Sequence, residues 1–335
     1  MMDKGIGLVF AGGGGKGAYH IGVWKALREY GVDRNITAVS GTSVGALNSV
    51  LFAYGDYELA EDIWRNISAK DVFSCGNGIG AELKKRIRQH TTSIFNRDGL
   101  LKIINKLNLL QVKGSIPCYA ACLKVSDENI LHSFFSNLGK NLGALGAVCG
   151  ALAKLIASNA GLFTIRYFCI NDFTLTDIRN ILLASSAMPV VFPEEKIQGS
   201  YYIDGGLVDN VPILPLYNNG YRTIVVVHCN RDTVIDTSQY VGANIIEIIP
   251  NNNQGGFVHG TLDFSPEGAA RRIEQGYRDA NVILKDLYEW NIINKRTESA
   301  INKFIRGEET FSKKMSEYKQ RRDAAFQELD DLLKI

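Results

Sequence analysis

No sign of charge dominates this chain: 37 Lys and Arg are set against 35 Asp and Glu, a formal net of +2 over 335 residues. The basic residues are interspersed with acidic ones, which argues against nucleic-acid binding through bulk electrostatics. Long greasy runs are missing too. No segment of about 18 uncharged apolar residues occurs, so a spanning helix is not expected. Met1-Met2-Asp3-Lys4-Gly5 leads straight into a strand pattern, without the apolar core or cleavage site of a signal peptide. The six cysteines (Cys75, Cys118, Cys122, Cys149, Cys169, Cys229) form no C-x-x-C pair, so neither a zinc knuckle nor a redox motif is indicated. Free, buried thiols in a reducing compartment are expected. No Asp/His cluster suggests a metal, no cofactor is implied, and no internal repeat or low-complexity linker is visible. These absences point to a cytoplasmic protein.

What is present is core-forming material. Apolar residues make up 46% of the chain, enough for one α/β domain with embellishments or for two domains. Ile6 to Phe10 reads as a short apolar strand, Gly12-Gly13-Gly14-Gly15-Lys16-Gly17 as a loop, and Ala18 to Tyr30 as a helix with Ile21, Trp24 and Leu27 on one face. Such a loop aims backbone N–H groups at an anion, and a nucleotide or phosphate ligand is one reading. The P-loop pattern fails, because Phe10 stands where its first Gly belongs and Gly17 where its Ser or Thr belongs. A dinucleotide site wants an acidic residue after the second strand, which here ends in Ser40-Gly41-Thr42-Ser43. Converging N–H groups serve equally well as an oxyanion hole. Lys16 either adds positive potential there or is merely solvated.

The second strand, Ile36 to Ser40, runs into Gly41-Thr42-Ser43-Val44-Gly45, with a helix from about Val44. This is the G-x-S-x-G nucleophile elbow, which lifts a serine hydroxyl above a helix N-terminus. Further on, helices are expected over Asp56–Asn66, Ala81–Gln89 and Gly99–Leu109, the last capped by Asp98. Strands are expected over Ile116–Val125, Asn129–Phe135 and Thr164–Ile170. Residues 137–162 are Gly- and Ala-rich, with leucines and a valine every three or four positions and only Lys140 and Lys154 charged. Too short to span a bilayer, they read either as a packed core helix or as a lid that meets lipid. Thr176 is expected to cap a helix over Asp177–Ser185. Glu195 to Asp204 has a hairpin look around Gln198-Gly199, and Arg222–His228 and Asn244–Ile249 suit buried parallel strands. Ser265-Pro266-Glu267 opens a helix to about Tyr288. From Arg296 the chain is highly charged at helical spacing, expected to dock on the domain or on a second copy.

A serine needs a positioned base. Asp204 ends a strand and is followed by Gly205-Gly206, which keep its surroundings open. In a parallel sheet the strand C-termini gather on one edge, where Ser43 and Asp204 can meet. A carboxyl is a weak base at its reference pKa of about 3.9, so desolvation has to raise it. The competing arrangement is a Ser-Asp-His triad with His228 or His259 as base and Asp204 as its orienter. His20, one turn into the first helix, is placed to shape the glycine loop.

Gly12 to Gly17, Gly41-Thr42-Ser43-Val44-Gly45, Ala184-Ser185-Ser186-Ala187-Met188-Pro189 with Phe192-Pro193, and Asp204-Gly205-Gly206 with Asp209-Asn210-Val211-Pro212 occur in this order. Together they resemble a patatin-like phospholipase over roughly residues 5–290. The resemblance implies a three-layer α/β fold, a central mostly parallel sheet flanked by helices, with a C-terminal helical extension over 291–335 outside it. It implies a Ser-Asp dyad without histidine: Ser43 as nucleophile, Asp204 as base, and the glycine loop with the Val44 N–H as oxyanion hole. It also implies a phospholipid or other fatty acyl ester as substrate and a peripheral place at a membrane. Residues 137–162 are a longer and greasier insertion than it leads one to expect.

Overall fold

The computed structural model describes residues 4–68, 72, 98–127, 129, 130, 133, 145–189 and 191–333. Among them eight strands form one sheet: β1 (Ile6–Phe10), β2 (Ile36–Thr42), β3 (Cys118–Val125), β4 (Phe163–Cys169), β5 (Glu195–Ile197), β6 (Ser200–Asp204), β7 (Thr223–Val227) and β8 (Asn244–Ile248). β8, β7, β1, β2 and β3 are parallel neighbours in that order; the β-branched run of β7 is buried as a central strand requires, whereas β8, expected to be buried, ends this order and buries only Ile248 fully. β4 and β6 both pair antiparallel with β3, and β5 closes a hairpin on β6. Its two-residue turn places Gln198 at φ 46° and Gly199 at φ 84°, the left-handed pair that matches strand twist.

The alternation of side chains assigns helices to both faces of the sheet. On one face Phe10 stacks on His20 of α1 (Ala18–Glu29) and meets Phe52 of α2 (Val44–Tyr54). Cys122 on that face reaches the Ile181 carbonyl of α7 (Leu175–Ser185). On the other, Val9, Ala38, Ile224 and Val226 bury Leu216 of α8 (Leu214–Asn218). Leu123, Val125 and Ile203 bury Leu152 and Ile156 of α6 (Leu145–Ser158) there too. The architecture is therefore a three-layer α/β/α arrangement around a mostly parallel sheet. Within the apolar stretch 137–162, the described helix α6 contributes to this core, while 137–144 lie outside the described residues. The helix expected over Ala81–Gln89 lies outside them as well.

Several local expectations are corrected. Asn129, Ile130 and Ser133 are helical, and the antiparallel partner of β3 is β4, from Tyr119↔Cys169 to Val125↔Phe163. The helix expected over Gly99–Leu109 is two: α4 (Asp98–Asn105) begins at Asp98 itself, and α5 (Leu109–Lys113) starts where Asn108 accepts from the Leu110 N–H at 3.2 Å. Thr174, not Thr176, caps α7, because its hydroxyl accepts from the Asp177 N–H and donates back to the Asp177 carboxylate at 2.9 Å.

After α3 (Tyr57–Asn66) and the elements above, α9 runs from Pro266 to Leu333 without the end expected near Tyr288. No proline follows Pro266 and the lone glycine beyond Tyr288, Gly307, costs a helix only about 1 kcal/mol. The chain divides into two units, one ending at Ile283 and one beginning at Leu284. No helix among the described residues is long and apolar enough to cross a membrane.

Candidate active site

The site is built where two strands meet end to end. β3 pairs with β2 through Cys118–Ala121, and the same edge then pairs with β6 through Cys122–Val125, since β4 occupies the opposite edge. Thr42 faces Ala121 and Asp204 faces Cys122, one residue further on. β6 thus enters from the other direction into the lane that β2 vacates. The C-terminus of β6 arrives at the level where β2 turns into α2. The expectation of a shared parallel edge is corrected here: Asp204 reaches Ser43 on an antiparallel strand.

Ser43 stands at φ 57° and ψ −126°, a backbone state that costs a non-glycine residue about 1–3 kcal/mol. The surroundings hold it there. The Ser43 N–H donates to Ser185 Oγ at 2.9 Å, and Ser185 Oγ donates to the Ala121 carbonyl at 2.8 Å. A Cβ on Gly45 would lie 2.1 Å from the Phe10 carbonyl oxygen, and one on Gly41 would lie 2.2 Å from the Gly45 carbonyl oxygen, so the turn closes only with glycine at both positions. Thr42 points to the other face and donates to the Asp209 carbonyl at 2.9 Å.

Asp204 is 2% exposed. Burial raises its carboxyl to about 6, opposed by hydrogen bonds from the Gly206 N–H and from the Ser43 side chain. Gly206 N–H donates to Oδ1 at 2.8 Å. Gly205 lies flush against β3: a Cβ there would sit 2.7 Å from the Ala121 carbonyl oxygen. Backbone packing therefore aims this carboxyl across at the serine.

The glycine loop is fastened by Asn210. The Gly12 N–H donates to the Asn210 carbonyl at 3.0 Å and Asn210 Nδ2 donates back to the Gly12 carbonyl at 3.1 Å. Gly14 takes φ 58° and packs so closely that a Cβ would stand 2.2 Å from the Thr261 carbonyl oxygen. Among the described residues the N–H groups of Gly13 and Gly14 make no hydrogen bond. The Val44 N–H opens α2, where a helix leaves its first amides unused. Gly12, Gly13 and Gly14 line a cavity of about 310 Å³ together with Ser43, Val44, Asp204, Gly206, Asn210 and Asn230. Ser186 lines it too, with a buried hydroxyl that has no partner among the described residues. Gly15, Lys16 and Gly17 lie one turn further on, in a short 3-10 segment that leads into α1.

Lys16 is buried, its ammonium on Asn230 Oδ1 and its pKa lowered by desolvation. It acts on the cavity through the asparagine. His20 supports the loop from below. Asn48 donates to His20 Nδ1 at 2.9 Å while its own oxygen accepts from Trp64 Nε1, which leaves His20 Nε2 as the donor to Cys229 Sγ at 3.1 Å. Burial holds this imidazole neutral, with its pKa down at about 3. His228 is fully buried, its Nε2 2.8 Å from Glu247 Oε2. His259 is exposed in the π-helical turn Phe257–Thr261. Neither lines the cavity.

Ser185, Asn210 and Asn230 had no assigned part in the sequence reading. Ser185 and Asn210 lie inside the motifs that carry the resemblance, so a signal was present without a role attached. Asn230 carried none.

A family model described as Patatin-like phospholipase matches residues 8–217. Lysophospholipase NTE1 of Cryptococcus neoformans is 29% identical over 238 residues, 70% of this chain but 12% of that protein. A patatin-like phospholipase domain-containing protein of Caenorhabditis elegans, ZK370.4, is 25% identical over 243 residues, 72% of this chain and 14% of that protein. The chain thus spans only about an eighth of the length of these relatives. Among solved structures, VipD from Legionella pneumophila aligns with a TM-score of 0.46 at 17% identity, covering 84% of this chain and 67% of that one.

Proposed function

The chain belongs to the patatin-like phospholipase family, and from that premise we propose that it is a serine lipid acyl hydrolase of the phospholipase A or lysophospholipase kind. The observation that carries the reading is that Ser43 and a buried Asp204 line one cavity, the carboxyl raised to about 6 by burial and held down in part by the serine beside it. A carboxyl lifted this far is still ionised at neutral pH and is a better base than an exposed one.

In the proposed reaction Ser43 Oγ attacks the ester carbonyl carbon while Asp204 takes the hydroxyl proton. The carbonyl oxygen gains the negative charge and accepts from the N–H groups of Gly13, Gly14 and Val44, which need no reorientation. Collapse of the adduct breaks the ester bond, and the departing alcohol or lysolipid takes the proton from Asp204. Water then attacks the acyl-serine and gives a proton to Asp204. The second adduct collapses to a fatty acid, and the proton returns to Ser43. The Ser186 hydroxyl is free to bond a polar part of the substrate. His228 is spent on Glu247 away from the cavity, which favours the dyad over a triad.

The same reading places this machinery in residues 5–290, with 137–162 inserted and 291–335 as a charged extension. It also includes a cytoplasmic site of action, contact with a lipid surface, and pairing of copies through the extension. Phe311 and Met315, exposed four residues apart on α9, support such pairing. A fluorophosphonate probe tests the central claim. Covalent labelling of the wild type and none of Ser43→Ala is expected, with release of fatty acid from lysophospholipid lost in Ser43→Ala and in Asp204→Ala. No labelling combined with tight nucleotide binding would return the glycine loop to an anion-binding role.

A further inference from the structure

The cavity has a direction. Val44, Leu47, Asn48 and Leu51 line it from α2, a spacing of i, i+3, i+4 and i+7 that is one face of a helix followed for two turns. At 1.5 Å per residue, Leu51 lies about 12 Å along that axis from Ser43. Polar lining groups come almost wholly from the loops around Ser43 and Asp204. The exception on α2, Asn48, has its amide committed to Gly17, His20 and Trp64. The rest of the lining is mostly apolar, aliphatic and aromatic together: Leu51 is joined by Ile63 and Trp64 from α3, by Leu100 and Ile103 from α4, and by Phe264. Leu51 is 2% exposed and is the last residue of α2 on this face to line the cavity.

A slot that is polar at the nucleophile and mostly apolar over the roughly 12 Å to Leu51 matches one extended hydrocarbon chain. One membrane acyl chain spans half of the bilayer's hydrocarbon core, about 15 Å, slightly more than the slot offers. The volume, about 310 Å³, is at the lower end of the roughly 300–1,000 Å³ of ligand pockets, which suits one chain better than two. We propose that the cavity holds a single acyl chain laid along α2, and that Leu51 is the specificity-determining residue that limits its length. This rests on Ser43 being the nucleophile.

The test is a series of p-nitrophenyl esters, from butyrate through octanoate and dodecanoate to hexadecanoate, hydrolysed by the full chain, by Leu51→Trp and by Leu51→Ala. Fluorophosphonate labelling is measured on each. A methylene's worth of pocket changes kcat/KM by about tenfold or more. Leu51→Trp is expected to lower the dodecanoate-to-butyrate ratio of kcat/KM at least that far. Leu51→Ala, which removes bulk and cannot overfill the slot, is expected to raise the hexadecanoate-to-octanoate ratio. Normal labelling with ratios unchanged in both variants, or moved in the same direction by both, would overturn the slot alone. A wild type that is neither labelled nor hydrolytic would overturn the nucleophile and the slot together.

Discussion

Ser43 lies beside the Asp204 carboxyl in one cavity because their strands abut along one edge of β3, Thr42 opposite Ala121 and Asp204 opposite Cys122. Strand register sets the approach: Asp204 is the last residue of β6 and Ser43 directly follows the end of β2.

Removing either partner should abolish turnover while the histidines are dispensable. Ser43→Ala and Asp204→Ala are each expected to lower kcat by about 10⁴ or more. His259→Ala, an exposed change, should leave hydrolysis largely intact, as should His228→Ala once its folding is verified by circular dichroism. Loss of activity in a folded histidine variant would restore the triad.

Activity should follow the ionisation of Asp204. With the carboxyl raised to about 6 by burial, kcat/KM is expected to climb with pH and reach half its plateau near pH 6. A midpoint near the ordinary aspartate value would show that the base is solvated in the working enzyme.

The same shift has a sign for stability. A carboxyl raised from 3.8 to about 6 binds its proton more tightly in the folded state, so it favours folding below pH 4 and loses that contribution as pH rises through 6. Above pH 6 the buried charge costs about 3 kcal/mol. Asp204→Asn should therefore raise the midpoint of thermal unfolding more at pH 8 than at pH 4, although it destroys activity. Equal effects at both pH values would contradict a burial-raised carboxyl.

Ser185 should matter to the elbow through two hydrogen bonds, accepted from the Ser43 N–H and donated to the Ala121 carbonyl. Ser185→Ala leaves both of those groups unpaired and is expected to cost about 1–3 kcal/mol in urea unfolding. It should also slow labelling of Ser43, since the strained backbone at φ 57° loses a restraint. A stability loss with an unchanged labelling rate would show that the strain is held elsewhere.

Asn210 clips the glycine loop at both polar groups of Gly12, and Asn210→Ala removes the side-chain half of the clip. If the loop supplies the donors for charge that develops only during the reaction, as proposed, kcat should fall by up to the roughly 10²–10³ associated with one such donor. KM should change little. A rise in KM at constant kcat would assign Asn210 to substrate binding.

What the chain determines locally was legible in it. The glycines at 41 and 45, an apolar strand before them and an apolar helix after them define the turn at Ser43 by sterics within ten residues. The Gln198-Gly199 turn likewise defines the hairpin that ends at Asp204. Only the tertiary structure decided which strand lies beside which. β4 is the antiparallel partner of β3, with Asn129, Ile130 and Ser133 helical instead, and β6 runs antiparallel in the lane β2 leaves open. It also decided that Lys16 is buried on Asn230 and that α9 continues past Tyr288. Dihedral preference and apolar period act over a few residues and are written at each position. Strand pairing is chosen by the burial of whole faces, from segments far apart in the chain, and no single stretch of sequence contains that choice.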